Sequence, residues 1–147
     1  MRNLKPILLV EDDTVDAMTF KRAAEDLRIH NTIVHVKDGE EALGYLNDES
    51  NAEPCFIFLD LNMPRMNGVE FLKVVKADER LKKIPVVVLT TSDSDKDVVD
   101  SFSLGVAGYM VKPADYQKFV DSIRTVNLYW NLNKLPNGAP EYEQAKA

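Results

Sequence analysis

Apolar residues are distributed along the chain in two patterns: short apolar stretches, and longer segments between them with apolar residues at helical spacing. Five short apolar stretches, rich in β-branched residues, recur at 6–11, 31–36, 55–60, 84–90 and 107–111. The first, third and fourth stretches are nearly continuous apolar runs, which is typical of strands covered on both faces in a parallel sheet. The second stretch alternates more clearly between apolar and polar residues, which favours a position nearer the edge of the sheet.

The segments between these stretches carry apolar residues at helical spacing, and helices are predicted over 13–27, 38–47, 67–77, 94–104 and 114–132. Strict alternation of strands and helices predicts right-handed crossovers and an α/β fold, with a doubly wound parallel sheet and helices on both faces. Residues 1–132 are therefore expected to form one domain. Residues 133–147 contain three Pro and Gly residues and are expected to be a partly disordered tail.

Composition narrows the classes of function. Of the 147 residues, 45% are hydrophobic and 29% are charged, which is an ordinary balance for a globular protein. No apolar run is long enough to span a membrane, and the start of the chain does not resemble a secretory signal. The single cysteine fits a reducing cytoplasm, and the excess of 24 acidic over 18 basic side chains argues against direct binding of nucleic acid.

Polar residues follow the predicted strands at the points where each strand ends. Ligands of open parallel sheets bind beyond the carboxyl ends of the strands, so these residues are expected to lie together. They are Glu11, Asp12 and Asp13 after the first strand, Asp60 and Asn62 after the third, Thr90 and Thr91 after the fourth, and Lys112 and Pro113 after the fifth.

This set of side chains suits phosphoryl transfer. Two carboxylates about 4 Å apart repel each other by roughly 4 kcal/mol at an effective dielectric constant near 20, so a cluster of them favours a hard divalent cation such as Mg²⁺. Asp60 can then act as a carboxylate nucleophile toward phosphorus. Lys112 can pair with a phosphoryl oxygen, and the hydroxyl of Thr90 can donate a hydrogen bond to one.

Four stretches of the chain carry a resemblance to a known family. LLVEDD (8–13), FLDLNMPRMNG (58–68), VVLTT (87–91) and GYMVKP (108–113) resemble the sequence motifs of receiver domains, the phosphoacceptor domains of two-component response regulators. The resemblance covers roughly residues 5–130. It implies a flavodoxin-like fold with five parallel strands in the order 2-1-3-4-5.

The resemblance also implies how the phosphoryl group is received. A histidine kinase or a histidine phosphotransfer protein would phosphorylate Asp60 in a Mg²⁺-dependent reaction. Asp12 and Asp60 would ligate the metal, Glu11 would act through water, and Asn62 would contribute its backbone carbonyl. The chain would be a phosphoacceptor switch with intrinsic self-phosphorylation and self-dephosphorylation, not an enzyme with a separate substrate.

Further roles follow from the same resemblance. Thr90 and Lys112 would hold the phosphoryl group, with Asn62 and Thr91 beside it. Tyr109 would swing inward as Thr90 moves toward the phosphate. The peptide bond before Pro113 would be cis.

A narrower resemblance concerns both ends of the domain. VEDDTVDA (10–17) and VNLYWNLNKLP (126–136) are similar to small stand-alone receivers that partner bacterial phytochromes. In that group, dimers form through helix 4, strand 5 and helix 5. Because no effector domain is expected after the receiver, its output would pass through an unknown partner protein or through a homodimer.

Two competing functions are less favoured. A phosphatase that works through an aspartyl phosphate needs a second acid two residues after the nucleophile, where this chain has Asn62. A pseudo-receiver that only binds a partner would be favoured by the loss of Asp60, Asp12 or Lys112, and all three are present.

Several other residues have ordinary structural interpretations. Acids in the first turn of a helix complement its dipole, so Asp13 and Asp16 are interpreted as capping or solvated residues. The aspartates at 93, 95 and 97 are interpreted as a solvated helix start. Ser92 has two open interpretations, a loop residue or an influence on the attack of water. Tyr129 and Trp130 are expected to make core or subunit contacts.

Overall fold

The apolar stretches form five parallel strands in the computed structural model of the chain, which describes residues 5–132. The strands are β1 (Ile7–Val10), β2 (Ile33–Val36), β3 (Phe56–Leu59), β4 (Val86–Thr90) and β5 (Gly108–Val111). Their order in the sheet is β2-β1-β3-β4-β5, as the resemblance implies. All neighbouring pairs in this sheet are parallel.

Four α-helices connect the strands, and a fifth follows β5. They are α1 (Thr14–Asp26), α2 (Gly39–Asn47), α3 (Gly68–Ala77), α4 (Asp95–Ser103) and α5 (Tyr116–Leu132), with a short 3₁₀ turn at Leu81–Lys83. The first four begin after Asp13, Asp38, Asn67 and Ser94, whose side chains each accept a backbone N–H from the first turn. Such caps satisfy N–H groups that have no partner within the helix, which explains why the helices begin there.

The hydrophobic core lies on both faces of the sheet. On one face, Leu8, Ile57 and Val88 pack with Phe71 and Leu72 of α3. On the opposite face, Ile7, Leu9, Phe56 and Phe58 of the strands pack with Phe20 of α1 and Ile123 of α5. Three of the five strands, β1, β3 and β4, are buried along their whole length, as their continuous apolar runs predicted.

The position of β2 agrees with its sequence pattern. β2 lies at an edge of the sheet and is only partly buried, which confirms the interpretation of its alternating pattern.

Trp130 of α5 is buried in the core, where its ring stacks on Phe56 with the ring centroids 5.9 Å apart. Among residues 5–132, none of the helices combines the length and the apolar character needed to cross a bilayer. The predicted tail at 133–147 lies outside the described residues.

Candidate functional site

The strand register brings the predicted site residues to one edge of the sheet. Val10 of β1 is level with Leu59 of β3, and Leu59 is level with Val88 of β4. The residues that follow these strands therefore meet at one edge. Oxygen atoms of Glu11, Asp12 and Asp60 all lie within 4.8 Å of one another, although these residues are up to 49 positions apart in the chain.

Asp60 lies immediately after β3 and is 7% exposed. Its backbone N–H donates to the carbonyl of Val10 at 3.0 Å, so the sheet ladder fixes its position. Its Oδ1 accepts the backbone N–H of Asn62 at 3.2 Å, and its Oδ2 lies 3.5 Å from the Nζ of Lys112. The carboxylate lines an open cleft of about 570 Å³, which Asp12, Asn62, Thr91 and Lys112 also line.

Glu11 is the most deeply buried acid of the cluster. Its carboxylate accepts a hydrogen bond of 2.5 Å from the ammonium of Lys112 and one of 3.2 Å from the backbone N–H of Asp13. Burial raises the pKa of Glu11 to about 7, and the neighbouring Asp60 carboxylate adds to that rise while Lys112 opposes it. The carbonyl of Glu11 accepts a hydrogen bond from Nε2 of His35 at 2.7 Å, since a carbonyl oxygen can only accept.

Lys112 reaches the cluster from the end of β5. Its ammonium donates to Glu11, to Asp16 at 2.9 Å and, most weakly, toward Asp60. Burial alone would lower the pKa of Lys112, but the hydrogen bonds with Asp16 and Glu11 outweigh it, so the pKa is raised. The lysine therefore remains a cation at the centre of the acids.

Asp16 is a site residue that the sequence reasoning missed. It was interpreted as a capping or solvated acid, yet its carboxylate is an ion-pair partner of Lys112. The capping residue of α1 is Asp13, whose Oδ1 accepts the N–H of Asp16 at 3.0 Å. No local pattern in the sequence indicated this contact, because Lys112 lies 96 positions farther along the chain.

The hydroxyl predicted to meet a phosphoryl group lies at the end of β4. Thr90 is fully buried, and its Oγ1 accepts the backbone N–H of Ser92 at 3.3 Å and lies 3.5 Å from Nδ2 of Asn62. Thr91 is exposed and lines the cleft. The hydroxyl of Tyr109 on β5 donates to the carbonyl of Ser92 at 2.8 Å, and burial raises the pKa of Tyr109. Thr90 and Tyr109 therefore both bind the same loop residue.

The loop between β3 and α3 is held tightly beside Asp60. Gly68 packs so closely that a Cβ atom there would lie 2.6 Å from both the carbonyl oxygen of Asp60 and the Cα of Leu61. Farther along the loop, Nε of Arg65 donates to Oδ2 of Asp38 at 2.8 Å. Hydrogen bonds from the backbone N–H of Glu41 and from Arg65 lower the pKa of Asp38, although its burial opposes this. The sequence reasoning did not predict this ion pair.

The prediction of a cis peptide bond before Pro113 is wrong for this structure, since no cis peptide bond occurs among residues 5–132. The prediction rested on the family resemblance alone. A trans bond before proline is favoured by about 0.5–1 kcal/mol unless the surroundings select the cis form. In the trans form, the backbone N–H of Lys112 donates to the carbonyl of Thr90 at 2.7 Å.

The aspartates after β4 do not form a second metal cluster in the described part of the chain. Asp95 and Asp97 lie in the first turn of α4, as predicted for a solvated helix start. Asp97 also accepts the hydroxyl of Ser92 at 2.6 Å, so it contacts the loop that follows Thr90.

The acids at the strand ends fit a divalent metal. Three carboxylate groups offer oxygen atoms within 4.8 Å of one another, and hard cations such as Mg²⁺ and Mn²⁺ prefer oxygen ligands. Burial raises the pKa of Glu11, and the nearby Asp60 carboxylate raises it further, so a cation bound between these acids would relieve their repulsion. The donor set is therefore suited to a divalent cation.

Comparison with known proteins agrees with this geometry. A family described as the response regulator receiver domain matches residues 7–124. The chain belongs to this family. The receiver domain therefore accounts for all five strands and about half of α5.

Individual relatives extend the comparison. The chain is 39% identical over 137 residues to FilR2 of Methanothrix harundinacea, named "Probable methanogenesis regulatory protein", and the match covers 90% of this chain and 88% of FilR2. A structure of the phosphorylated cyanobacterial phytochrome response regulator RcpA is similar with a TM-score of 0.84, 36% identity and coverage of 91% and 99%. The Mn²⁺-bound structure of response regulator Rcp1, a protein of Synechocystis, is similar with a TM-score of 0.83, 34% identity and coverage of 90% and 99%.

Proposed function

We propose that this receiver domain is a single-domain response regulator that accepts a phosphoryl group on Asp60 from a histidine kinase or a histidine phosphotransfer protein. The observation that carries the proposal is the position of Asp60, whose carboxylate faces an open cleft beside Lys112, Glu11 and Asp12. The sheet fixes the carboxylate, and the cleft gives a phosphodonor access to it. The share of Rcp1 and RcpA that the match covers supports the single-domain form.

The chemistry follows from these positions. A carboxylate oxygen of Asp60 attacks the phosphorus of the donor and forms an O–P bond. The bond between phosphorus and the donor atom breaks, and that atom leaves with the electron pair, as an imidazole or a carboxylate. Lys112 pairs with the phosphoryl oxygens, the hydroxyl of Thr90 donates to one of them, and Asn62 and Thr91 line the space around the group.

A divalent metal belongs to this proposal, and we assign Mg²⁺. Asp12 and Asp60 would hold it directly, Glu11 through water and Asn62 through its backbone carbonyl. When bound, Mg²⁺ offsets the negative charge of the phosphoryl oxygens. The similar protein Rcp1 binds Mn²⁺ in its structure, which supports the proposal that this chain binds a divalent cation. The chain would also transfer phosphoryl groups from small donors to itself and lose them by hydrolysis.

The proposed switch consists of Thr90 and Tyr109. Thr90 accepts a hydrogen bond from the backbone N–H of Ser92, and the hydroxyl of Tyr109 donates one to the carbonyl of Ser92. If the Thr90 hydroxyl turns to a phosphoryl oxygen, it releases the N–H of Ser92, and the loop and Tyr109 can rearrange together. Phosphorylation adds a charge of about −1.5 to −2, and a change from 1:99 to 99:1 between two arrangements requires about 5.5 kcal/mol of differential interaction.

Partners are proposed from similarity and from surface chemistry. The likeness to RcpA supports a bacterial phytochrome as the kinase. Exposed apolar side chains on the face formed by α4, β5 and α5 support a homodimer or an effector contact there. They are Val99, Phe102, Val111, Leu128 and Tyr129.

The test is direct phosphorylation. The protein would be incubated with Mg²⁺ and acetyl phosphate, beside Asp60→Asn, and followed by intact mass and by size-exclusion chromatography. We expect a gain of one phosphoryl group that is absent in the variant. A folded protein that gains no phosphoryl mass and does not bind beryllium fluoride would contradict the proposal and favour the pseudo-receiver. A change of size with phosphorylation would indicate that dimerisation is the output.

A further inference from the structure

The ammonium of Lys112 is shared among three carboxylates, and its contact with the proposed nucleophile, Asp60, is the longest of the three. The distances from Nζ are 2.5 Å to Glu11, 2.9 Å to Asp16 and 3.5 Å to Asp60. An ammonium group has three N–H donors, and charge-assisted N–H···O bonds have lengths of about 2.7–2.9 Å. Two donors therefore make strong bonds with Glu11 and Asp16, while the contact with Asp60 lies at the limit of a hydrogen bond.

Asp16 is well placed to compete for this lysine. It lies in the first turn of α1, and the bond from its N–H to the cap Asp13 fixes its backbone. Its side chain is 41% exposed, whereas that of Lys112 is 10% exposed. The carboxylate of Asp16 is therefore a fixed, partly hydrated charge to which the more buried lysine extends.

The ion pair also lies against the space that a phosphoryl group would occupy. Asp16, Thr91 and Lys112 line the cleft that contains Asp60. The same three residues line a second cavity of about 500 Å³, which extends toward Arg22 and Tyr116. The ion pair thus lies at the boundary of the two cavities. An anion bound in the cleft would meet the negative charge of Asp16 and would need the ammonium that Asp16 holds.

We infer that Asp16 is a positioning residue, which holds Lys112 toward α1 and thereby weakens the binding of a phosphoryl group at Asp60. This inference rests on the proposed function of Asp60. Asp16 would thereby regulate the same site. A phosphoryl group binds at Asp60 only to the extent that Lys112 gives up its contact with Asp16. Removing the charge of Asp16 frees the lysine and also removes a repulsion.

The test is the affinity for beryllium fluoride at saturating Mg²⁺, followed by the amide chemical shift of Thr91. We expect Asp16→Asn to bind this phosphoryl mimic about two to five times more tightly than the unsubstituted chain, the range that corresponds to a partly exposed ion pair. Equal or weaker binding by Asp16→Asn would overturn the inference.

Two further variants separate the ion pair from other effects. Asp13→Asn removes the same charge beside the same cleft, keeps a side chain that caps helices well, and does not touch Lys112. A gain in affinity as large as that of Asp16→Asn would show that net charge is responsible and would overturn the inference. Asp16→Glu restores a carboxylate on the same turn, and we expect it to lose the gain.

A second measurement examines the ion pair without any phosphoryl mimic. In a double-mutant cycle of thermal unfolding with Asp16→Asn and Lys112→Gln, the combined shift should be smaller than the sum of the single shifts. Additive shifts would contradict the ion pair itself. If the unsubstituted chain fails to bind beryllium fluoride while the cycle shows coupling, the proposed function fails and the regulatory role falls with it, but the ion pair stands. If the chain binds the mimic and Asp16→Asn gains nothing, only the inference fails.

Discussion

The helices that follow Asp60 and Thr90 are similar in length but are held very differently. α3 buries Phe71, Leu72 and Val75, and its first turn has a capping box in which Asn67 and Glu70 bind each other's backbone N–H. Of the nine residues of α4, all within the described range, the single buried one is Ser101. Two large apolar side chains of α4, Val99 and Phe102, are instead 61% and 52% exposed.

The same contrast runs through the strands beside these helices. β3, which ends at Asp60, is buried at all four positions, whereas no residue of β5 is fully buried. Elements with few buried apolar contacts open and rearrange at lower free-energy cost than well-packed ones. Asp60, the proposed nucleophile, therefore follows a strand in the rigid part of the domain. The proposed switch residues, Thr90 at the end of β4 and Tyr109 on β5, both bind Ser92 and lie beside the less buried elements, α4 and β5.

The largest expected difference comes from equivalent truncations in the two helices. Phe71→Ala removes a fully buried ring from α3 and should lower the free energy of unfolding by about 3–5 kcal/mol. Phe102→Ala removes a largely exposed ring from α4 and should change it by less than about 0.5 kcal/mol. Urea unfolding followed by circular dichroism measures both. A cost above about 2 kcal/mol for Phe102→Ala would contradict the contrast.

A second comparison concerns two glycines. Gly68→Ala would push a Cβ atom into the backbone of Asp60 and Leu61 and should cost about 1–3 kcal/mol, because packed backbone can only give way with strain. Gly44→Ala in α2 meets no atom within 4 Å and should stabilise the protein by about 0.5–1 kcal/mol. Thermal unfolding of both variants checks this. Tolerance of Gly68→Ala would show that the loop after Asp60 is not rigid.

The ion pair that supports this loop should depend on pH. Asp38 caps α2 and binds Arg65, and its replacement by Ala should cost about 0.5–2 kcal/mol at neutral pH. Because the pKa of Asp38 is lowered in the folded state, its stabilising effect is complete above the unfolded value of about 3.9 and is lost as the pH falls through the folded value. The difference in stability between the protein and Asp38→Asn, which keeps a capping oxygen, should therefore shrink in acid. A difference that is constant from pH 7 to pH 2 would argue against the ion pair.

The smallest effect concerns the one buried residue of α4. The hydroxyl of Ser101 is buried and has no hydrogen-bond partner among the described residues. An unsatisfied buried polar group is costly, so Ser101→Ala should stabilise the protein by up to about 1 kcal/mol. The exposed Ser103→Ala is the matched control and should change stability by less than about 0.5 kcal/mol. Clear destabilisation by Ser101→Ala would mean that α4 is held more firmly than its burial indicates.

Most of the fold could be predicted because its signals are local. The continuous apolar runs indicated β1, β3 and β4, and the helix caps Asp13, Asp38, Asn67 and Ser94 lie within one residue of the predicted helix starts. The convergence of acids and a lysine at the strand ends followed from the parallel topology. The strand order itself came from the family resemblance, since periodicity alone does not order strands.

What the sequence did not reveal depends on contacts between distant residues. Asp16 and Lys112 are 96 positions apart, and Arg65 and Asp38 are 27 apart. Each acid also has an ordinary local interpretation, as a capping or solvated residue near a helix start. Only the packing of α1 and α2 against the sheet shows which carboxylate meets a cation. The isomer before Pro113 likewise depends on its surroundings, because its intrinsic preference is small.

The central claim is that a phosphoryl group on Asp60 acts on the α4–β5 side of the domain and leaves the β3–α3 side unchanged. Hydrogen exchange of individual amides, measured with Mg²⁺ before and after addition of beryllium fluoride, tests this claim most directly. We expect exchange to change in the loop after Thr90, in α4 and in β5, with α3 and β3 unaffected and no change in Asp60→Asn. Equal changes in α3 and α4, or changes that persist in Asp60→Asn, would contradict the account.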